Sequence, residues 1–300
     1  MSRMPNAWSL LVPLVFLGSA PAWGQEPERV DGGGGVGLAV YEAGNPAGPP
    51  IVFLHGFLGS HLNWAPQFSG TLAQRYRLIA IDLRGHGASE KPLVPEAYTS
   101  ATAWADDIAA VIRAKDLHRP VLVGWSYGGF MISDYLRVHG DAGLGSVVLV
   151  GSTSTFGNDR AMELIGEDAL AEVGALLALD VATSIEGTRA FLPLVTERPM
   201  DRDGFEVALA TAMMVPPQVR GPMFGRSFDN AEILRAVSVP ALVIQGKADR
   251  IVLPIAAEVL ADLIPGARLV SFDGVGHAPF LEDPTRFDRE LDQFVRSIHP

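Results

Sequence analysis

The sequence predicts an α/β protein in which a mostly parallel central sheet is covered by helices on both faces and interrupted by a helical insertion. Three observations lead there. From Ile51 onward, short β-branched apolar runs alternate with longer stretches of helical period. Those runs are apolar at nearly every position, Ser271 being the exception, rather than at every second residue, as strands buried on both sides are. One interval, between Gly151 and Ala241, breaks the alternation and has helical character.

In chain order, the strand-like runs are 38–41, 51–54, 78–81, 121–123, 147–150, 241–244 and 269–272. Between them, Trp104, Ile108, Val111 and Ile112 form one helical stripe with Asp106, Asp107 and Arg113 off it, which predicts a surface helix. Similar patterns run over 255–264 and 287–298. Inside the interrupting interval, Leu164, Leu170, Val173, Leu176 and Leu177 keep helical character. Pro193, Pro199, Pro216, Pro217 and Pro222 cut its second half into short pieces, as expected of a lid rather than of an independent domain. The chain therefore divides into a leader over 1–24, a core over 25–151, a cap over 152–236 and the rest of the core over 237–300.

The leader has the layout of a secretory signal. Arg3 precedes an apolar run over 7–17, and Ala20-Pro21-Ala22 and Ala22-Trp23-Gly24 both fit a small-x-small cleavage site. Cleavage before Gln25 is preferred over cleavage before Trp23. The run is shorter than the ~20 residues needed to span a bilayer and contains Pro13, so the expectation is an exported protein, periplasmic or secreted, with no stable membrane anchor after processing.

Composition narrows the function classes. With 48% hydrophobic and 19% charged residues, 300 residues suffice for one large core. A net charge of −11 and the lack of any Lys/Arg cluster argue against nucleic acid as a partner. The chain has no cysteine, hence no disulfide, thiol nucleophile or thiolate metal site. Gly32 to Gly37 satisfies Gly-x-Gly-x-x-Gly, but a strand-like run follows rather than a helix, so no helix N-terminus is offered to a pyrophosphate and a flexible hairpin turn is expected. No His/Asp/Glu group has zinc spacing. Neither cofactor nor metal is expected.

The segment Val121-Leu122-Val123-Gly124-Trp125-Ser126-Tyr127-Gly128-Gly129-Phe130 carries the chemistry: a buried strand, then Gly-x-Ser-x-Gly, then a helical pattern. A tight strand-to-helix turn lifts the serine hydroxyl clear of the backbone, and the flanking glycines remove side chains that would collide there. Serine at neutral pH needs a base, and histidine is suited to that task. His277, in the Gly-rich loop Gly274-Val275-Gly276 after a strand, is the candidate among seven histidines. Asp249 lies just beyond a strand end, where a sheet presents functional side chains, while Asp229, Asp262 and Asp273 sit in less suitable contexts.

With His55-Gly56-Phe57, Asp82-Leu83-Arg84-Gly85-His86-Gly87, Gly246-Lys247-Ala248-Asp249 and Gly276-His277, the chain from Leu38 onward resembles the α/β-hydrolase superfamily. Within it, the resemblance is to cofactor-free haloperoxidases, perhydrolases and small esterases. The resemblance implies the α/β-hydrolase fold, a catalytic triad of Ser126, Asp249 and His277 in that order, and an oxyanion hole from the backbone N–H groups of Phe57 and Tyr127. It casts His55 and His86 as structural; His61, His118, His139 and His299 read as surface residues. Phe57, Trp125, Met213, Met214 and Phe224 are the candidate walls of an apolar substrate pocket.

The reading is a serine hydrolase of small to medium apolar carboxylic esters, lactones included, acting through an acyl-enzyme on a small-molecule substrate. Perhydrolysis or acyl transfer on the same triad is its neighbour, and a non-catalytic ligand-binding protein of this fold is the rival from another class. Oligomeric state is left open. Relatives that open epoxides or remove halides carry aspartate where this chain has Ser126.

Overall fold

The structure, a computed structural model, describes residues 26–298. The leader read over 1–24 and His299 lie outside the described residues. Eight strands form the main sheet: β1 (Glu28–Asp31), β2 (Gly37–Gly44), β3 (Pro50–Leu54), β4 (Arg77–Asp82), β5 (Val121–Trp125), β6 (Ser146–Val150), β9 (Ala241–Gly246) and β10 (Arg268–Phe272). A separate ribbon pairs β7 (Thr155–Phe156) with β8 (Phe228–Asp229). The order across the sheet is β1-β2-β4-β3-β5-β6-β9-β10, with β1/β2 and β2/β4 antiparallel and the remaining pairs parallel.

Alternation along each strand divides the core into two layers. Val52 and Leu54 pack with Ile108 and Val111 of the helix Ala101–Ala114 and with Met131 and Ile132 of the helix Tyr127–His139. Ile51 and Phe53 point the other way, toward Trp64, Phe68 and the Phe287 and Leu291 face of the helix Pro284–Ile298. Each buried aliphatic side chain of this kind contributes about 1.5–3 kcal/mol, so the central strands tolerate little polarity on either face.

Two local expectations give way to tighter packing. The glycine run does close the β1–β2 hairpin, but it is not free: the Gly33 N–H donates to Asp107 Oδ1 at 2.8 Å, and the Gly33 carbonyl accepts from Arg84 Nη2 at 2.8 Å. A side chain at Gly33 would come within 2.6 Å of the Ala103 carbonyl oxygen. Asp107, on the flank assigned to solvent, is buried and receives both Nε and Nη2 of Arg84 at 2.7 Å. Burial raises its pKa against the pull of that guanidinium. The helix is thus bound to the core on two sides.

Between β6 and β9 the chain builds the helices Asp159–Met162, Glu167–Leu176, Val181–Phe191, Arg202–Met213, Pro217–Phe224 and Ala231–Arg235. It leaves and re-enters the core through the β7–β8 ribbon, where Thr155 pairs with Asp229, and through the Asn230 N–H, which donates to the Ser154 carbonyl at 2.8 Å. Arg220 is fully buried among these helices. It donates to the carbonyls of Leu176, Ala212 and Val215 and to the hydroxyls of Ser184 and Thr188.

After β4 the chain passes back over β3 and places β5 on the opposite side. The loops leaving the C-terminal ends of β3 and β5 therefore diverge, and a crevice opens between them, the usual ligand position in an open parallel sheet.

Candidate active site

Ser126 occupies that crevice. It follows β5 directly and precedes the helix Tyr127–His139, with φ 52° and ψ −117°, a left-handed conformation that costs a non-glycine residue about 1–3 kcal/mol. Close contacts enforce it. A side chain at Gly124 would meet the Gly128 carbonyl carbon at 2.6 Å, and one at Gly128 would meet the Leu54 carbonyl oxygen at 2.4 Å. Strand, turn and helix can approach this closely only because both positions are glycine. The turn is further held by the Ser126 N–H donating to the Val150 carbonyl at 2.8 Å and by the Ser152 hydroxyl donating to the Ser126 carbonyl at 3.0 Å.

His277 lies in the loop after β10, beside Asp249 in the turn after β9. The imidazole Nδ1 stands 2.7 Å from Asp249 Oδ2. The other oxygen, Oδ1, accepts the N–H groups of Ile251 and Val252 at 2.8 and 3.0 Å. Four N–H donors therefore surround a carboxylate that water does not reach, since Gln245 Nε2 also donates to Oδ2, at 2.9 Å. This is the arrangement that stabilises a buried anion. Trp125 fixes the opposite side of the histidine: its Nε1–H donates to the His277 carbonyl at 2.9 Å, and its ring centroid lies 5.4 Å from the imidazole.

Ser126, His277, Phe57 and Trp125 line one cleft of about 860 Å³ under the cap. The turn His55-Gly56-Phe57 abuts the serine so closely that a side chain at Gly56 would be 3.1 Å from Ser126 Cβ. Among the described residues, neither the Phe57 N–H nor that of Tyr127, at the first position of its helix, has a hydrogen-bond acceptor. His55 supports this turn from beneath. Its Nδ1–H donates to the Gly56 carbonyl at 2.8 Å while Nε2 accepts the Leu83 N–H at 3.0 Å, and burial pushes its pKa down to about 4, so it is neutral at physiological pH. His86, 5.0 Å away ring to ring, is likewise driven down to about 3 by burial.

Other expected positions fall elsewhere. Met213, Met214 and Phe224 do not line this cleft. Met214 is half exposed, Met213 presents its sulfur to Arg220, and Phe224 packs edge-on against Phe57 at 4.7 Å and Phe156 at 5.5 Å. The apolar wall comes instead from Leu62, Leu192, Val195, Met200 and Val207. His61, read as a surface residue, is mostly covered. It stacks on Tyr41 at 3.5 Å and its Nδ1 bonds Asp82 Oδ1 at 2.9 Å. Burial alone would raise the Asp82 carboxyl, but His61 and the Ala88 N–H hold it down at about 2. The Tyr41 run before β3 gave no hint of this stack, because the two residues meet only across the sheet.

Among the described residues, no group of three or more His, Asp or Glu side chains converges as a metal site requires.

Residues 49–284 match the model of the alpha/beta hydrolase fold family, and the chain belongs to that family. It is similar to a putative aryl esterase from Burkholderia cenocepacia, 38% identical with a TM-score of 0.83 over 91% of this chain and 98% of that one. It is also similar to the esterase RhEst1 from Rhodococcus sp. ECU1013, 34% identical with a TM-score of 0.86 over 91% of this chain and all (100%) of that one. A pimeloyl-[acyl-carrier protein] methyl ester esterase from Aeromonas hydrophila is 29% identical over 83% of this chain and 96% of its own length. These likenesses support a hydrolase, and ester hydrolysis in general.

Proposed function

We propose that this chain is a serine hydrolase that cleaves carboxylic esters of small to medium apolar substrates, lactones among them, through an acyl-enzyme. The observation that carries the reading is the buried Asp249–His277 pair opening into the same cleft as Ser126 on its strained turn. With the Nδ1 proton engaged by Asp249, Nε2 is the basic nitrogen. In this mechanism Ser126 Oγ attacks the ester carbonyl carbon as its proton passes to Nε2. The carbonyl oxygen becomes an oxyanion received by the N–H groups of Phe57 and Tyr127, and Asp249 stabilises the imidazolium. Collapse breaks the ester C–O bond, and His277 returns the proton to the departing alcohol. Water then attacks the acyl-Ser126 ester by the same route, releasing the acid and restoring the serine.

The strained turn and the two unclaimed N–H groups are features this chemistry requires and packing alone does not. The test is pre-steady-state: mixing the protein with excess p-nitrophenyl acetate should release close to one nitrophenolate per active site in a burst before the steady rate. A linear time course under conditions where deacylation is slowed by low temperature would count against an acyl-enzyme.

A further inference from the structure

We propose that Gln245 is a positioning residue for the Asp249–His277 pair: its side-chain amide fixes Asp249 Oδ2 toward the imidazole and sets how strongly that oxygen holds the imidazolium. The inference rests on the reading that His277 is the base. Gln245 is the penultimate residue of β9, and its side chain is buried. Its Nε2 donates to Asp249 Oδ2 at 2.9 Å, to the Val252 carbonyl at 3.0 Å and to the Gly246 carbonyl at 3.2 Å.

The surroundings dictate the amide's orientation. All three groups near Nε2 are acceptors, so a flipped amide would set its oxygen against a carboxylate and two carbonyls. In the observed orientation Oε1 is itself buried without a hydrogen-bond partner among the described residues. A buried acceptor left unmatched is a cost, and here it accompanies delivery of the NH₂ group to the carboxylate. An apolar side chain would fill the same place with no such cost if packing were the whole purpose.

The consequence for His277 has a definite sign. Each N–H donated to a carboxylate oxygen withdraws negative charge from it and lowers its basicity. Oδ2 is shared by Gln245 Nε2 and His277 Nδ1, so removing the amide leaves that oxygen richer in charge and strengthens its hold on the protonated imidazole. His277 then takes up its proton at higher pH. The charged groups around the imidazole are Asp249 in contact and Arg198, Asp201, Asp203 and Glu282 on the cleft wall. None of them changes with a substitution at position 245.

The experiment follows the His277 ring by NMR titration in the Ser126→Ala protein, with and without Gln245→Met, which keeps the volume and removes the donor. Gln245→Asn, which keeps the amide but withdraws it by one methylene, is the second variant should the first fail to fold. The titration midpoint of His277 should move up by about half a pH unit or more in either folded variant. In the active background, the acid limb of kcat/KM should move the same way, with kcat falling more than KM rises. A folded variant whose His277 midpoint is unchanged or lower overturns the proposal, because a merely structural role would lower thermal stability without moving the titration. The NMR arm does not depend on turnover. If Ser126→Ala kept its esterase activity, the serine-hydrolase reading would fail while the Gln245 titration still stood or fell by itself.

Discussion

Asp249 Oδ2 accepts the Nδ1–H of His277 at 2.7 Å, in a pair where neither side chain is more than 3% exposed. Water cannot compete for this bond, so the imidazole is held in one tautomer and one orientation. An asparagine in place of Asp249 would present either an N–H to an N–H or a neutral oxygen to a developing imidazolium. Asp249→Asn should therefore lower kcat by about 10³–10⁴ with KM changed by only a few fold. If the two residues act in the proposed triad, the double variant Ser126→Ala/Asp249→Asn should be scarcely slower than Ser126→Ala. Steady-state kinetics on the three proteins checks this, and multiplicative losses would show that they do not.

The cleft wall provides a test of specificity that separates the observed lining from the expected one. Val207 is exposed within the cleft on the helix Arg202–Met213, while Met214 is exposed outside it. Val207→Phe should narrow the cavity and reduce kcat/KM for hexanoate or phenyl esters about tenfold relative to acetate, the 1–3 kcal/mol scale of a methylene-sized misfit. Met214→Ala should leave the chain-length profile unchanged. Kinetics on a panel of p-nitrophenyl esters decides both.

Arg220 holds the cap from its centre. Burial, with no carboxylate partner among the described residues, lowers its pKa to about 10, and its five oxygen acceptors come from three helices and the turn around Val215. Arg220→Met should destabilise the cap by about 2 kcal/mol or more, because carbonyls and hydroxyls that lose their donor stay buried. Limited proteolysis should then cut first within 176–215, with the sheet core surviving. A protease pattern and melting temperature equal to the parent's would refute that role.

Asp288 gives stability a pH dependence. It is buried on the helix Pro284–Ile298, where Gln67 Nε2 donates to it at 3.2 Å, and burial pushes its pKa up to about 6. A carboxyl that ionises near its ordinary value when unfolded and near 6 when folded favours the fold fully below about pH 4. That contribution is lost as the pH rises through about 6, to the extent of about 3 kcal/mol. Asp288→Asn should abolish this decline and be more stable than the parent at pH 8. Urea denaturation at pH 4.5 and 8 measures it.

Local pattern made the scaffold legible. Ile51 to Leu54, Val147 to Val150 and Leu242 to Ile244 are apolar on both faces because helices cover both faces, and that needs no knowledge of distant residues. The Ser126 turn was legible for the same reason, since its glycines are neighbours in sequence. The cleft wall was not. Val207 and Leu192 have the same hydropathy as core residues, and only the packing of the cap around Arg220 decides which of them meets the cavity. Nor was the edge strand β1 legible: Glu28, Arg29 and Asp31 are exposed on an edge and carry no alternating apolar pattern. The covered setting of His61 and the role of Gln245 were not legible because their partners, Tyr41 with Asp82 and Asp249 with Val252, are chosen by the geometry of loops and strand ends.

Covalent labelling reads directly whether Ser126 is the nucleophile, as proposed. Incubation with a fluorophosphonate, followed by intact-mass measurement and peptide mass spectrometry, should show one adduct per chain, located on Ser126. Folded Ser126→Ala should take up no label and lose ester turnover by several orders of magnitude. A label on another serine, or near-parent esterase activity in folded Ser126→Ala, would contradict the account.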